Sequence, residues 1–293
     1  MGNLADLYHL SRFANRHPLA RENKRRTFLR FMRWQVASRA IQQPIVLPFV
    51  GESRLIISKQ MPGAAVNYYF GLPEVEEVSL ALHFLGEGDL LGDVGANIGA
   101  LSIAASSVAK ARVIAMEPVP STFKALRDNV AINEVSNLVT TLNMGAGKEA
   151  SDLNFSTDRG GNDRIVLDGS GSLIPVRPLD EVFSETPNML VIDVEGFEPA
   201  VIAGARRLLA DPKLEIIIAE TLGLASDYGL DDRAMHDTII SNGFATAKYD
   251  GFTRVLKPTT GMDKFNTIYV RDVAGVSAKV RKANAFRVGD RLI

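Results

Sequence analysis

The sequence predicts an α/β protein: a mostly parallel, seven-stranded, Rossmann-like sheet with helices on both faces, preceded by a helical and short-strand extension. Three observations predict it. From residue 90 onward, short apolar runs alternate with runs of helical period, the rhythm of βαβ units. A glycine-bearing turn, Asp93-Val94-Gly95-Ala96-Asn97-Ile98-Gly99, joins the first apolar run to the first helix. Polar residues stand at the ends of five apolar runs: Asp93, Glu117, Asn143, Asp193 and Glu220. That edge of an open parallel sheet is where ligands bind.

The elements follow in order. Residues 1–43 read as helical and basic, with Phe28, Phe31, Met32, Gln35 and Val36 at helical spacing forming one apolar stripe. Pro44 ends that segment. Residues 45–60 suggest two short strands about a Gly-Glu-Ser turn, and 74–85 a helix with Val75, Val78, Leu82 and Leu85 on one face. Then come strand 90–94, helix 98–108, strand 112–116, helix 121–132 with Ser121 as N-cap, and strand 138–143. Residues 145–177 break the rhythm, with short antiparallel strands expected at 152–155 and 164–166 around a polar loop. Strand 189–194, helix 199–209 with Pro199 in its first turn, strand 215–219, helix 231–241, and strands 244–249 and 266–271 complete the sheet. The expected divisions are an extension (1–85), the alternating domain (86–275) and a basic tail (276–293).

Composition narrows the function. Of 293 residues, 46% are apolar and 23% charged, and the net charge is -1, so no global field favours nucleic acid. The absence of cysteine excludes disulfides, thiolate nucleophiles and Cys-based zinc sites. The four histidines lack metal-ligand spacing, and no metal is expected. No apolar run is long enough for a membrane span and no signal segment is legible, so a cytoplasmic protein is expected.

The turn carries the chemistry. Gly95 and Gly99 let the backbone approach a ligand, and the following helix turns free N–H groups toward it. The register Gly92, Gly95, Gly99 is not the G-x-G-x-x-G of nicotinamide enzymes. Glu117, about 20 residues on, suits the hydroxyls of an adenosine ribose. Together they point to an adenosine cofactor without naming it.

At DVGANIG (93–99), MEPVP (116–120), FKALRDNVAIN (123–133), Leu179-Asp180 and IDVEG (192–196), followed by Glu198, Gly204-Ala205 and Glu220, the sequence resembles the FkbM-type methyltransferases, a branch of the class I S-adenosylmethionine-dependent enzymes. The family's lysine before the DVEG segment is missing here. The resemblance implies S-adenosylmethionine as cofactor and methyl transfer to a hydroxyl of a sugar, glycolipid or related metabolite. It implies that Asp93, Gly95, Asn97 and Gly99 hold the methionine end, Glu117 the ribose, and Asn143 and Met144 the adenine side. Asp193 and Glu195 would face the methyl group, with Glu220 joining them as a third catalytic acid. A nicotinamide-dependent oxidoreductase and a protein or nucleic-acid methyltransferase are the alternatives. The expected partner is a small-molecule or glycan acceptor with a free hydroxyl. Asn67-Tyr68-Tyr69 and the loop 159–164 are candidate acceptor contacts, and the basic termini are candidate contacts with a membrane surface.

Overall fold

In the computed structural model, residues 17–41, 43–58, 62–72, 74–156, 164–166 and 169–293 are described. Helix α1 (Pro18–Glu22) runs into α2 (Lys24–Ala40), which starts where the Asn23 side chain accepts from the Arg26 N–H at 3.0 Å. The face α2 buries is Thr27, Phe31, Trp34 and Ser38, not the expected stripe. The two large rings decide it: Phe31 packs edge-on against Tyr69 at 5.4 Å and Trp34 meets Tyr68 at 6.4 Å. Phe28, Met32 and Val36 are thereby turned outward. The expected hairpin is present as β1 (Ile45–Pro48) and β2 (Arg54–Ile57), followed by α3 (Pro62–Phe70) and α4 (Val75–Phe84).

The alternating region gives β3 (Leu90–Val94), α5 (Ala100–Ala104, continued by a π-turn to Ala109), β4 (Arg112–Met116), α6 (Pro120–Ile132) and β5 (Val139–Leu142). Helix α6 begins on Pro120 with Val119 as its cap, so Ser121 lies inside the first turn. Proline has no N–H to leave unsatisfied and suits that position. The irregular stretch folds into a three-stranded sheet: β6 (Gly145–Ala146), β7 (Ser151–Phe155) and β8 (Ser172–Arg177). Phe155 also bridges Ile165, as the expected 152–155/164–166 pairing requires. The loop residues 159–163 lie outside the described residues.

After α7 (Leu179–Val182) come β9 (Met189–Ile192), α8 (Glu198–Ala203) and α9 (Arg206–Ala210). The single helix expected over 199–209 is thus two. A Cβ on Gly204 would lie 2.0 Å from the Gly147 carbonyl, so the chain bends there against the β6 segment. The Asp180 carboxylate then caps the new start, accepting from the N–H groups of Arg207 (2.8 Å) and Leu208 (3.1 Å). The chain continues through β10 (Ile216–Glu220), α10 (Asp232–Ser241), β11 (Ala245–Asp250), β12 (Val255–Pro258), β13 (Asn266–Val270), α11 (Val273–Arg281), β14 (Arg287–Val288) and β15 (Arg291–Leu292).

The main sheet has the order β12-β11-β13-β10-β9-β3-β4-β5, with β10, β9, β3, β4 and β5 parallel and β13 reversed. It is the expected α/β, mostly parallel sheet, with eight strands rather than seven because β12 extends the edge. Strand β3 is buried along its whole length. The chain leaves β3 toward β4 and β5, then returns to the other side at β9, so the switch point lies between β3 and β9. Val276, Val280, Phe286, Val288 and Ile293 are buried in the same apolar cluster as Trp34, Val50 and Leu72 of the extension. No described helix is long and apolar enough to cross a membrane.

Candidate active site

The switch point is held open by glycine. Gly95 has φ +87°, and a Cβ there would stand 1.8 Å from the Asp193 carbonyl oxygen. The backbones of β3 and β9 therefore meet only with glycine here, and the Asp193 N–H donates to the Val94 carbonyl at 2.9 Å. The Gly95 and Ala96 N–H groups both reach the Met116 carbonyl at 2.9 Å, tying the turn to β4. Asn97 adopts φ +53°, which amide side chains tolerate, and its Oδ1 accepts from the next N–H at 2.8 Å.

Two clefts flank this turn and share Gly95, Asn97 and Asp193. The first encloses about 670 Å³, counting its open mouth. Its floor holds Glu117, a buried carboxylate that accepts from the N–H of Asn97 (3.0 Å) and of Val119 (2.9 Å). Each oxygen can accept a second hydrogen bond, as ribose hydroxyls would supply. Met144, Phe155, Ile165 and Phe197 give it an apolar wall, two of them delivered by the irregular stretch. Tyr228 braces that wall: its hydroxyl donates to the Ile165 carbonyl at 3.2 Å and its ring meets Phe197 at 5.5 Å.

The second cleft is lined by acids: Glu74, Glu76, Glu77, Asp93, Asp193 and Glu220, and by no lysine or arginine among the described residues. Asp193 is exposed to the cavity and forms no side-chain hydrogen bond among the described residues. The protein packed around it, which displaces bulk water, and then the charges of Glu195, Glu198 and Asp93, push its pKa up to about 7. Glu220 is pushed up to about 9 by burial and by Asp193, Glu195, Glu198 and Glu74. Its Oε2 is buried without a hydrogen-bond partner among the described residues. Asp93 accepts from the Ser102 hydroxyl, and burial raises it to about 6. Glu195 stands at φ +58° in the first cleft, its pKa raised by burial and eased by Arg164. Glu198 holds the β9–α8 turn, accepting from the N–H of Val194 (2.9 Å) and Gly196 (3.3 Å), and burial raises it to about 7.

Of the residues singled out in the sequence, Gly95, Asn97, Glu117, Met144 and Glu195 line the first cleft, and Asp93, Asp193 and Glu220 the second. Gly99 lies beneath them at φ +85°, where a Cβ would strike Leu126 at 2.4 Å. Asn143 lines neither cleft; its amide clamps the loop after β4 by donating to the carbonyls of Glu117 (2.9 Å) and Pro118 (2.8 Å). Of Asn67-Tyr68-Tyr69, only Asn67 reaches the acidic cleft. His236 packs on Tyr269 away from both. Glu74, Glu77, Phe265 and Asn266 were not foreseen. Helix α4 and strand β13 bring them to the site from far along the chain, and no local pattern marks them.

These residues fit an adenosyl sulfonium. The glycine floor admits close backbone approach, Glu117 suits a ribose, and the apolar wall suits a purine. The carboxylates that raise one another's pKa would be relieved by a positive charge placed between them.

Comparisons with known proteins agree. The methyltransferase FkbM domain matches residues 93–245. A hexuronic acid methyltransferase, AglP of Haloferax volcanii, is 30% identical over 150 residues, 49% of this chain and 61% of the relative. A ribosomal protein L11 methyltransferase of Syntrophomonas wolfei is 27% identical over 110 residues, 38% of this chain and 36% of that protein. The chain thus spans less than two thirds of either relative. A solved FkbM methyltransferase from Methylobacillus flagellatus aligns with a TM-score of 0.46 and 20% identity, over 71% of this chain and 55% of that one. The domain match displaces the oxidoreductase alternative: covering more than half of the sequence and containing the whole glycine turn and the Asp193–Gly196 segment, it shows that the chain belongs to the FkbM methyltransferase family, whose cofactor is S-adenosylmethionine.

Proposed function

We propose that this protein is an O-methyltransferase acting in the cytoplasm on a hydroxyl of a sugar, glycolipid or related metabolite. One observation carries the reading: the Asp193 carboxylate, without a hydrogen-bond partner among the described residues, stands where the two clefts meet. Bound S-adenosylmethionine supplies an activated methyl group on a sulfonium. The protein then has to align a hydroxyl with it and take the proton. In this reading the hydroxyl enters through the acidic cleft and donates its proton to Asp193 as its oxygen bonds the methyl carbon and the carbon–sulfur bond breaks. Glu220, protonated near neutral pH, supplies a donor that orients the acceptor oxygen. Glu195 stands on the cofactor side.

The acid lining also bears on the acceptor. Several carboxylates can accept hydrogen bonds from a polyol, whereas a carboxylate-bearing sugar would meet repulsion in a cleft without a described cation. An uncharged or amine-bearing ring is therefore favoured here, unlike the hexuronic acid for which AglP is named. Asp193→Asn is expected to lower turnover of such an acceptor by roughly 10²–10⁴-fold. Its calorimetric affinity for the cofactor should stay within about threefold, too little to register as a loss of binding energy. Wild-type turnover in Asp193→Asn would remove it as the base, and folded protein without cofactor binding would remove the reading altogether.

A further inference from the structure

Helix α2 carries a surface that the methyl-transfer site does not use. On the side opposite its buried Thr27, Phe31, Trp34 and Ser38, it exposes Phe28, Leu29, Met32 and Val36, at 53, 55, 42 and 64% exposure. At 100° per residue these four fall within one arc of about 100°, so they form a single apolar strip. Exposed apolar residues scattered singly are ordinary, but four on one helical face are not.

The surroundings of the strip are positive. Residues 24–40 contain Lys24, Arg25, Arg26, Arg30, Arg33 and Arg39 and no acid. Arg25, Arg26, Arg30 and Arg33 line one cleft between α2, the β1 hairpin and Gly289. Arg26 pairs with Asp290, while Arg25, Arg30 and Arg33 form no ion pair among the described residues. Burial and the charge of Arg26 hold the Arg30 guanidinium below its usual range, as in a site that an anion would relieve.

An exposed apolar strip bordered by guanidinium groups matches the interface of an anionic bilayer, where apolar side chains enter the acyl boundary and cations meet the headgroups. A folded protein partner would not need this excess of unpaired positive charge. We propose that α2 is a membrane-docking helix that lays Phe28, Leu29, Met32 and Val36 into an anionic lipid surface, with Arg25, Arg30 and Arg33 on its headgroups. Asn67 lines both the arginine cleft and the acidic cleft, so docking holds the acceptor cleft beside the lipid surface.

The test uses the full chain and vesicles of phosphatidylcholine alone or with one third phosphatidylglycerol. Co-sedimentation is expected with the anionic vesicles only and should fall at least tenfold between 50 and 500 mM salt. Leu29→Asp/Val36→Asp and Arg25→Glu/Arg33→Glu should each lose at least tenfold in binding. Both pairs are exposed, so cofactor affinity and circular dichroism should be unchanged, which separates lost docking from lost folding. Equal binding to both vesicle types, salt-insensitive binding or unaffected variants would overturn the proposal. So would inorganic phosphate at millimolar concentration abolishing vesicle binding, which would make the cleft a soluble-anion site. A dimer in analytical ultracentrifugation that Leu29→Asp/Val36→Asp dissolves would assign the strip to a second copy instead. None of these readouts depends on the acceptor, so the docking surface can fail while the methyl-transfer reading stands.

Discussion

At the scale of the residue, the site is a problem of placing negative charge. Asp93, Asp193, Glu198 and Glu220 all have pKa values raised by desolvation, Asp193 further by Glu195, Glu198 and Asp93, and Glu220 further by Asp193, Glu195, Glu198 and Glu74. An ordinary Asp is a free base above pH ~4. Asp193, raised to about 7, becomes a base only as pH climbs through neutrality. The acidic limb of kcat/KM for the acceptor is therefore expected near pH 7, and Glu195→Gln should move it to lower pH, because Glu195 is the first of the acids whose charge raises Asp193. A limb that stays near pH 4 would show that another group takes the proton. Gly95 makes the second residue-scale prediction. Gly95→Ala must accommodate both φ +87° and a Cβ 1.8 Å from a carbonyl oxygen. It should cost more than about 2 kcal/mol in urea unfolding and weaken cofactor binding, whereas a stable, fully binding variant would refute the close approach of β3 and β9.

At the scale of the element, the three-stranded insert β6–β7–β8 walls the first cleft rather than extending the main sheet. It brings Phe155 to the first cleft and, through the Phe155–Ile165 bridge, Ile165 beside it. Phe155→Ala is expected to weaken cofactor binding about tenfold, the equivalent of ~1.4 kcal/mol, with kcat at saturating cofactor less affected. Titration calorimetry checks it. This is also the scale at which the sequence was most legible. β3, β4 and the start of β9 matched their expected residues because buried parallel strands are short unbroken apolar runs. β8 and β12 were not anticipated. Strand β8 contains Pro175 and β12 ends on Pro258, and each pairs through tertiary context rather than a local pattern. The α8–α9 break was hidden because the bend at Gly204 is set by a close contact with Gly147, distant in sequence. In the site, the acids at strand ends could be read directly. Glu74 and Asn266 could not, since only the packing of α4 and β13 brings them near.

At the scale of the whole molecule, the acids with raised pKa values tie stability to pH. A carboxylate whose folded pKa exceeds its unfolded value near 4 contributes stability that is complete below pH ~4 and is lost as pH rises through the folded value. With folded values of about 6, 7 and 9 for Asp93, Asp193 and Glu220, that loss begins near pH ~4 and is complete by about pH 9. His83 works in the opposite direction. Burial lowers it to about 4, so its contribution is lost as pH falls from 6.5 toward 4. Three carboxylates outweigh one histidine from pH ~4 upward, so the melting temperature without cofactor should decline steadily from about pH 5 to pH 8.5. Glu220→Gln should raise it at pH 8.5 by roughly 2–4 °C, and saturating cofactor should flatten the decline. A melting temperature that rises steadily to pH 8.5 would contradict the protonation pattern.

The pairing of the extension with the C-terminal hairpin has a consequence for how the chain folds. Arg26 and Asp290 meet across 264 residues, and Val50 bridges Val288. During synthesis, α2 and the β1 hairpin emerge before the main sheet, and their partners at residues 286–293 only after it. The sheet can assemble in between, from neighbouring βαβ units with short loops. The extension must wait to complete its packing until residues 286–293 arrive, with Val50 left without its Val288 bridge until then. The final closure of the molecule is thus expected to be its slowest folding step and the point at which nascent chains are most prone to aggregate.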